Sequence, residues 1–127
     1  IADLCVYLEK AGLIGQLRTA TGGIQGLGKV DKIYLDNTPL IYTLGRQDVE
    51  IGTVRETFFF NQTRSLCSVT TSPVSDFLID GKYTFEVGGK KKRQRQLQSI
   101  ENGYVVKDDI ETGYGNIIPL WMFGMLY

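Results

Sequence analysis

Histidine is absent from the 127-residue chain. With it go the Ser-His-Asp and Cys-His nucleophile arrangements and any zinc site with imidazole ligands. What remains is carboxylate, lysine, tyrosine and hydroxyl chemistry, together with backbone groups. Cysteine is nearly as scarce. Cys5 and Cys67 are too far apart for a CxxC metal knuckle and too few for the disulfide framework of a small secreted domain. That usage points to a reducing compartment. No stretch of about 20 apolar residues exists, and the first residues, Ile-Ala-Asp-Leu, lack the basic start and cleavage site of a signal peptide. The expectation is a soluble, cytoplasmic protein with no membrane partner, in which the Asn61-Gln62-Thr63 glycosylation triplet has no role. The missing initiator methionine suggests a fragment of something longer.

Net charge is also absent, 14 Lys and Arg balancing 14 Asp and Glu. The balance conceals segregation. Lys90 to Arg95 holds five positive charges, while Gln96 to Tyr127 sets four acids against Lys107 alone. Hydrophobic residues at 43% and charged residues at 22% are ordinary for a folded globular chain, and the length suits one domain.

Residues 3–13 place Leu4, Cys5, Leu8 and Ala11 at helical spacing. Strand-like runs at 15–19 and 32–35 follow, separated by a glycine-rich stretch from Gly22 to Gly28. Helix then hairpin is the ending of a winged-helix module, which defines residues 1–36 as a winged-helix remnant and 37–127 as the main domain. Asn37-Thr38-Pro39 signals a helix start, with a stop at Gly45. The next helix is expected over 53–66, with Thr53 as N-cap and Glu56 three residues on in a capping box. Its Phe58-Phe59-Phe60 run requires a largely buried helix. Short strands are expected at 67–71, 74–79 and 83–87, then a polar helix around 95–101, a strand at 104–106 and an apolar tail from Ile117.

Gly23 to Lys29 matches the GxxxxGK frame of a nucleotide phosphate loop, but Val30 follows where Ser or Thr must hold magnesium, and a strand follows where a helix must face the phosphates. A wing loop is the better reading.

The segment from Ser75 to Lys90 carries more. A two-residue Asp80-Gly81 turn would mix polar and apolar side chains on each face. A three-residue Asp80-Gly81-Lys82 loop pairs Ile79 with Tyr83 and Phe77 with Phe85, gathering Phe77, Ile79, Tyr83, Phe85 and Val87 on one apolar face. That register makes Asp76 and Glu86 cross-strand neighbours, their Cβ atoms about 5 Å apart. Like charges so close need compensation from a divalent cation such as magnesium, from a lysine, or from water.

The order helix, Glu56, strand, Asp76, hairpin, Glu86, helix, strand resembles the PD-(D/E)xK nuclease-like fold, a restriction-endonuclease-like α/β architecture with a mixed sheet flanked by helices. Nearly the whole chain is similar to the C-terminal region that follows the AAA+ module in a group of prokaryotic ATPases. The pieces that carry this are Tyr7 to Ile14, Lys32 to Asp36, Arg55 to Gln62, Ser75 to Leu78, Phe85 to Val87 and Ile118 to Trp121. The resemblance implies Asp76 and Glu86 as magnesium ligands, Glu56 as an added carboxylate, and an upstream ATPase module as partner. It also implies a lysine two residues after Glu86 that helps orient the attacking water. Gly88 stands there instead, and Lys90, one strand repeat on, is the nearest substitute along the strand.

Lys90, Lys91, Lys92, Arg93 and Arg95 form a run suited to nucleic-acid phosphates, with no aromatic residue interleaved for base stacking. The leading expectation is a degenerate nuclease-like accessory module that binds nucleic acid or a protein partner. The alternatives are a working magnesium-dependent nuclease using Asp76, Glu86 and Lys90, and a homo-oligomerisation domain built on the tail Pro119 to Phe123.

Overall fold

The computed structural model describes residues 2–20, 28–93, 97 and 99–127. Helix α1 (Ala2–Lys10) leads into the antiparallel strands β1 (Ile14–Arg18) and β2 (Val30–Leu35), followed by helices α2 (Thr38–Gly45) and α3 (Ile51–Thr63). Strands β3 (Val69–Thr70), β4 (Phe77–Ile79), β5 (Tyr83–Gly88), β6 (Gly103–Lys107) and β7 (Ile117–Pro119) come next, and a 3-10 helix over Leu120–Met125 ends the ordered elements. All seven strands join one mixed sheet in the order β2-β1-β3-β4-β5-β6-β7. The β3, β4 and β5 neighbours are antiparallel, whereas β5, β6 and β7 run parallel.

Local chemistry explains several boundaries. Gly12, at φ 74°, turns the chain out of α1, and Leu13 N–H donates back to Leu8 C=O at 3.0 Å in a glycine-terminated helix end. Asn37 caps α2 as expected, its Oδ1 accepting from Leu40 N–H at 3.0 Å. The β4–β5 hairpin has the three-residue loop, pairing Ile79 with Tyr83 and Phe77 with Phe85. Asp80 (φ 53°) and Gly81 (φ 66°) both adopt left-handed backbone in that loop.

Other expectations differ from what is seen. Helix α3 begins two residues before Thr53, with Glu50 at the N-cap and no side-chain cap bond, so Thr53 and Glu56 form no capping box. Thr53 C=O instead accepts from Thr57 Oγ1, and Glu56 reaches across to Lys32 on β2 at 3.4 Å. The β1–β2 hairpin is not a free-standing wing. Arg18 on β1 pairs with Thr70 on β3 in parallel, so one sheet runs across the expected division between residues 36 and 37. The phosphate-loop match lies, apart from Gly28 and Lys29, outside the described residues. So does part of the polar helix expected around 95–101, of which Leu97 and residues 99–101 are turns and bends.

The sheet is covered on both faces. Val105 and Val106 are consecutive on β6 and therefore point to opposite sides, yet both are fully buried. Val106 belongs to the main core with Leu17, Phe59, Phe60, Phe77, Phe85, Val87 and Leu120, beneath α3 and the 3-10 helix. Val105 packs on the other side with Leu97 and Ile117. Both walls matter for what β5 can carry, because Glu86 is registered beside Val105 and Val87 beside Val106.

Candidate functional site

Strand β5 delivers Glu86 to the Leu97 side of the sheet, where it is only 8% exposed. A carboxylate this deep needs a partner, since burying an unpaired charge is costly. The partner is Lys92, whose Nζ lies 2.9 Å from Glu86 Oε1. Glu86 Oε2 is buried as well and has no hydrogen-bond partner among the described residues.

The route taken by Lys92 is set by the two glycines at the end of β5. A Cβ on Gly88 would lie 2.7 Å from Lys92 Cγ and Cδ, so the lysine stem occupies the space that a side chain at position 88 would fill. The backbone turns back after Gly88, and Lys92 N–H donates to Gly89 C=O at 3.0 Å. The ammonium arrives from four residues further along the chain, across a glycine, at the carboxylate of β5. The Lys92 pKa is raised. The Glu86 hydrogen bond is the main cause, burial works against it, and the charges of Glu86, Asp76 and Glu56 add to it.

Asp76 precedes the first residue of β4 and sits at the same end of the sheet. The ladder stops at Phe77, and Asp76 Oδ2 accepts from Val87 N–H at 2.9 Å in place of a further strand bond. Ser75 Oγ secures the same corner by donating to Phe85 C=O at 3.2 Å. The half-buried Asp76 and the buried Glu86 thus meet at the C-terminal end of β5, with Lys92 joining them.

The other expected site residues make no direct bond to this cluster among the described residues. Glu56 pairs with Lys32 and reaches Lys92 only through its charge. Lys90, Lys91 and Arg93 are exposed, so the basic run divides, with Lys92 turned inward and these three facing solvent. Arg95 lies outside the described residues. Sequence reasoning placed Lys92 only in the basic run. The signal that could have found it is the tandem Gly88-Gly89, which ends the strand and permits the tight return.

Among the described residues, no group of three or more His, Cys, Asp or Glu side chains gathers as a ready-made metal cage. Magnesium does not require one, because it is commonly held by one or two carboxylates with water and substrate phosphate completing its shell. Asp76 and Glu86 are the two carboxylates that could supply it, each with one oxygen already engaged, by Val87 N–H and by Lys92 Nζ.

Tyr34 marks the other side of the same sheet end. It is 5% exposed, its ring centroid lies 5.0 Å from that of Phe60, and its hydroxyl is buried without a partner among the described residues. Burial, and after it the charges of Glu56, Asp76 and Asp31, push its pKa far above the usual tyrosine value. An acid whose folded-state pKa is raised keeps its proton in the folded protein while the unfolded chain loses it. Stability therefore falls as pH rises past about 10, the ordinary tyrosine pKa. Urea titrations between pH 9 and 11.5 should show this decline, and Tyr34→Phe should flatten it. An unchanged pH slope in Tyr34→Phe would contradict the assignment.

Both cysteines are unpaired and half-buried, and among the described residues no helix is long and apolar enough to cross a membrane. In the tail, Trp121, Met122 and Met125 are exposed, while Leu120 and Phe123 pack inward. No family model, no curated protein and no solved structure matches the chain, so the chemistry of the Asp76–Glu86–Lys92 cluster rests on its own geometry.

Proposed function

We propose that this chain is a divalent-metal-dependent phosphodiesterase acting on nucleic acid, with Asp76 and Glu86 holding the metal and Lys92 serving as the reaction's ammonium group. The observation that carries the reading is the 2.9 Å contact between Lys92 Nζ and Glu86 Oε1, made across Gly88. The nuclease-like resemblance calls for a lysine two residues after the glutamate, and Lys92 fills that space from another position in the chain.

A magnesium or manganese ion held by Asp76 and Glu86 would supply charge stabilisation at the phosphate under attack. Lys92, a compact donor of three protons, can orient a water or a phosphate oxygen beside Glu86. Exposed Lys90, Lys91 and Arg93 follow Glu86 closely in the chain and can neutralise phosphates of the bound strand, a contribution that weakens with salt. In this reading the upstream ATPase module implied by the resemblance would be the partner that presents the substrate.

A second reading keeps nucleic-acid binding without cleavage. It is favoured by the lack of a third ligating side chain among the described residues. Incubating the chain with single- and double-stranded DNA and RNA in magnesium or manganese separates the two. Cleavage that disappears in Glu86→Gln supports the proposal. Salt-dependent binding with no cleavage in either metal would sink it in favour of the second reading.

A further inference from the structure

The two glycines at the end of β5 are each crowded by a cation, and the two cations come from different parts of the chain. Lys92 covers Gly88. Arg55, from α3, covers Gly89, where an added Cβ would lie 2.9 Å from one guanidinium nitrogen and 3.2 Å from the guanidinium carbon. Arg55 is itself anchored, its Nε donating to Asp108 Oδ2 at 3.0 Å and its Nη2 lying 3.7 Å from Asp109 Oδ2. Asp108 closes the arrangement by donating its backbone N–H to Gly88 C=O at 2.8 Å. One residue just past the end of β6 therefore touches both the arginine and the backbone over which the lysine passes.

We infer that Arg55 is a positioning residue for Lys92, holding the Gly88–Lys92 turn from the α3 side so that the lysine reaches Glu86 from the opposite side. The functional consequence of that role rests on the phosphodiesterase reading, but the positioning itself does not. A lysine stem has many rotamers to lose, so its ammonium stays on one carboxylate oxygen only when the backbone below it is fixed. Two hydrogen bonds and one packed group fix this turn: the Asp108 N–H on Gly88 C=O, the Lys92 N–H on Gly89 C=O, and the guanidinium standing where a Gly89 side chain would be. Arg55 supplies the third, and through Asp108 it also braces the first.

A plain structural staple between α3 and the end of β6 would look similar in stability measurements, so the test must read Lys92. In nitrogen-15 relaxation of lysine ammonium groups, recorded without metal or substrate, wild-type Lys92 should be ordered and slow in hydrogen exchange. Arg55→Gln and Gly89→Ala should each abolish that behaviour, by removing the guanidinium or displacing it. Combining the two should add little further loss, as expected for residues acting through one contact. Asp108→Asn, which keeps the backbone N–H and weakens only the anchor of Arg55, should give a partial loss and provides the reading if Gly89→Ala fails to fold.

Cleavage, measured in parallel, should fall in Arg55→Gln by up to about a hundredfold, the scale of a misplaced reacting group. An ordered Lys92 ammonium in Arg55→Gln and Asp108→Asn, with only stability reduced, would overturn the inference. Loss of Lys92 order in those variants of a protein whose wild type cleaves nothing would uphold the positioning role and reject the phosphodiesterase reading.

Discussion

Lys92→Met is expected to reduce metal-dependent cleavage by about two to three orders of magnitude, the usual cost of losing one donor aimed at developing charge, while Lys90→Met should leave the rate within a few-fold of wild type. The contrast tests the site more sharply than either variant alone. By strand periodicity Lys90 is the natural substitute for the lysine lacking at Gly88, and a basic run that acted only through its total charge would respond equally to either loss. The structure separates the two lysines, because Lys92 Nζ is bonded to Glu86 while Lys90 is exposed. Lys90→Met should reveal itself in affinity instead. It removes one phosphate-neutralising charge, so the salt dependence of binding should become shallower by about one unit of log–log slope. Equal rate losses in the two variants would refute the role given to Lys92.

Stability has to be separated from chemistry in that comparison. Lys92→Met leaves the Glu86 side chain, 11% exposed, with its cation gone, a change that destabilises a fold when a buried pair is broken. The lysine end of the pair is more open, its side chain 38% exposed, so the loss should be smaller than for a fully buried pair. Glu86→Gln in the Lys92→Met background removes the orphaned charge and should recover much of the lost stability without recovering cleavage. A double variant that regains both would refute the roles given to Lys92 and to Glu86 alike.

The parts of this site legible in the sequence are those set by local periodicity. The hairpin register follows from burial, because only the three-residue loop places Phe77, Ile79, Phe85 and Val87 on one face, and that register brings Asp76 to the end of β5 beside Glu86. Lys92 was hidden for a physical reason. Strand spacing extrapolates from Glu86 through 88 to 90, whereas the chain turns back at Gly88-Gly89 and returns the lysine through space. Arg55 was hidden more deeply, since its contacts with Asp108 and Gly89 join elements far apart in sequence. The same limit explains the helix start and the hairpin near the N-terminus. Thr53 and Glu56 have the spacing of a capping box, but Glu56 finds Lys32 on β2, and a hairpin seen locally as a wing is drawn into the main sheet by the Arg18–Thr70 pairing.

Phe59→Ala should unfold much of the population under conditions where the wild type is folded, without touching any group of the proposed site. Phe59 is fully buried at the centre of the α3 face, its ring 5.0 Å from Phe77, 5.3 Å from Phe85 and 4.8 Å from Phe123. Those partners belong to β4, β5 and the 3-10 helix, so one side chain ties α3 to the strands flanking Asp76 and Glu86 and to the tail. Truncating such a residue costs about 3–5 kcal/mol, through lost transfer energy and the cavity left behind. The total stability of a domain of this size is about 5–15 kcal/mol, and the thermal midpoint should fall by roughly 10–20 °C. Phe58, half-buried at the rim of the same cluster, is the control: Phe58→Ala should cost less than half as much, because its site can collapse or fill with water. Equal losses for the two phenylalanines in urea titrations would show that α3 does not pack on the sheet through Phe59. If the ranking holds, residual cleavage by the folded fraction of Phe59→Ala should stay close to wild type per folded molecule, since Phe59 packs on the hairpin through Phe77 and Phe85 while Asp76, Glu86 and Lys92 keep their own hydrogen bonds.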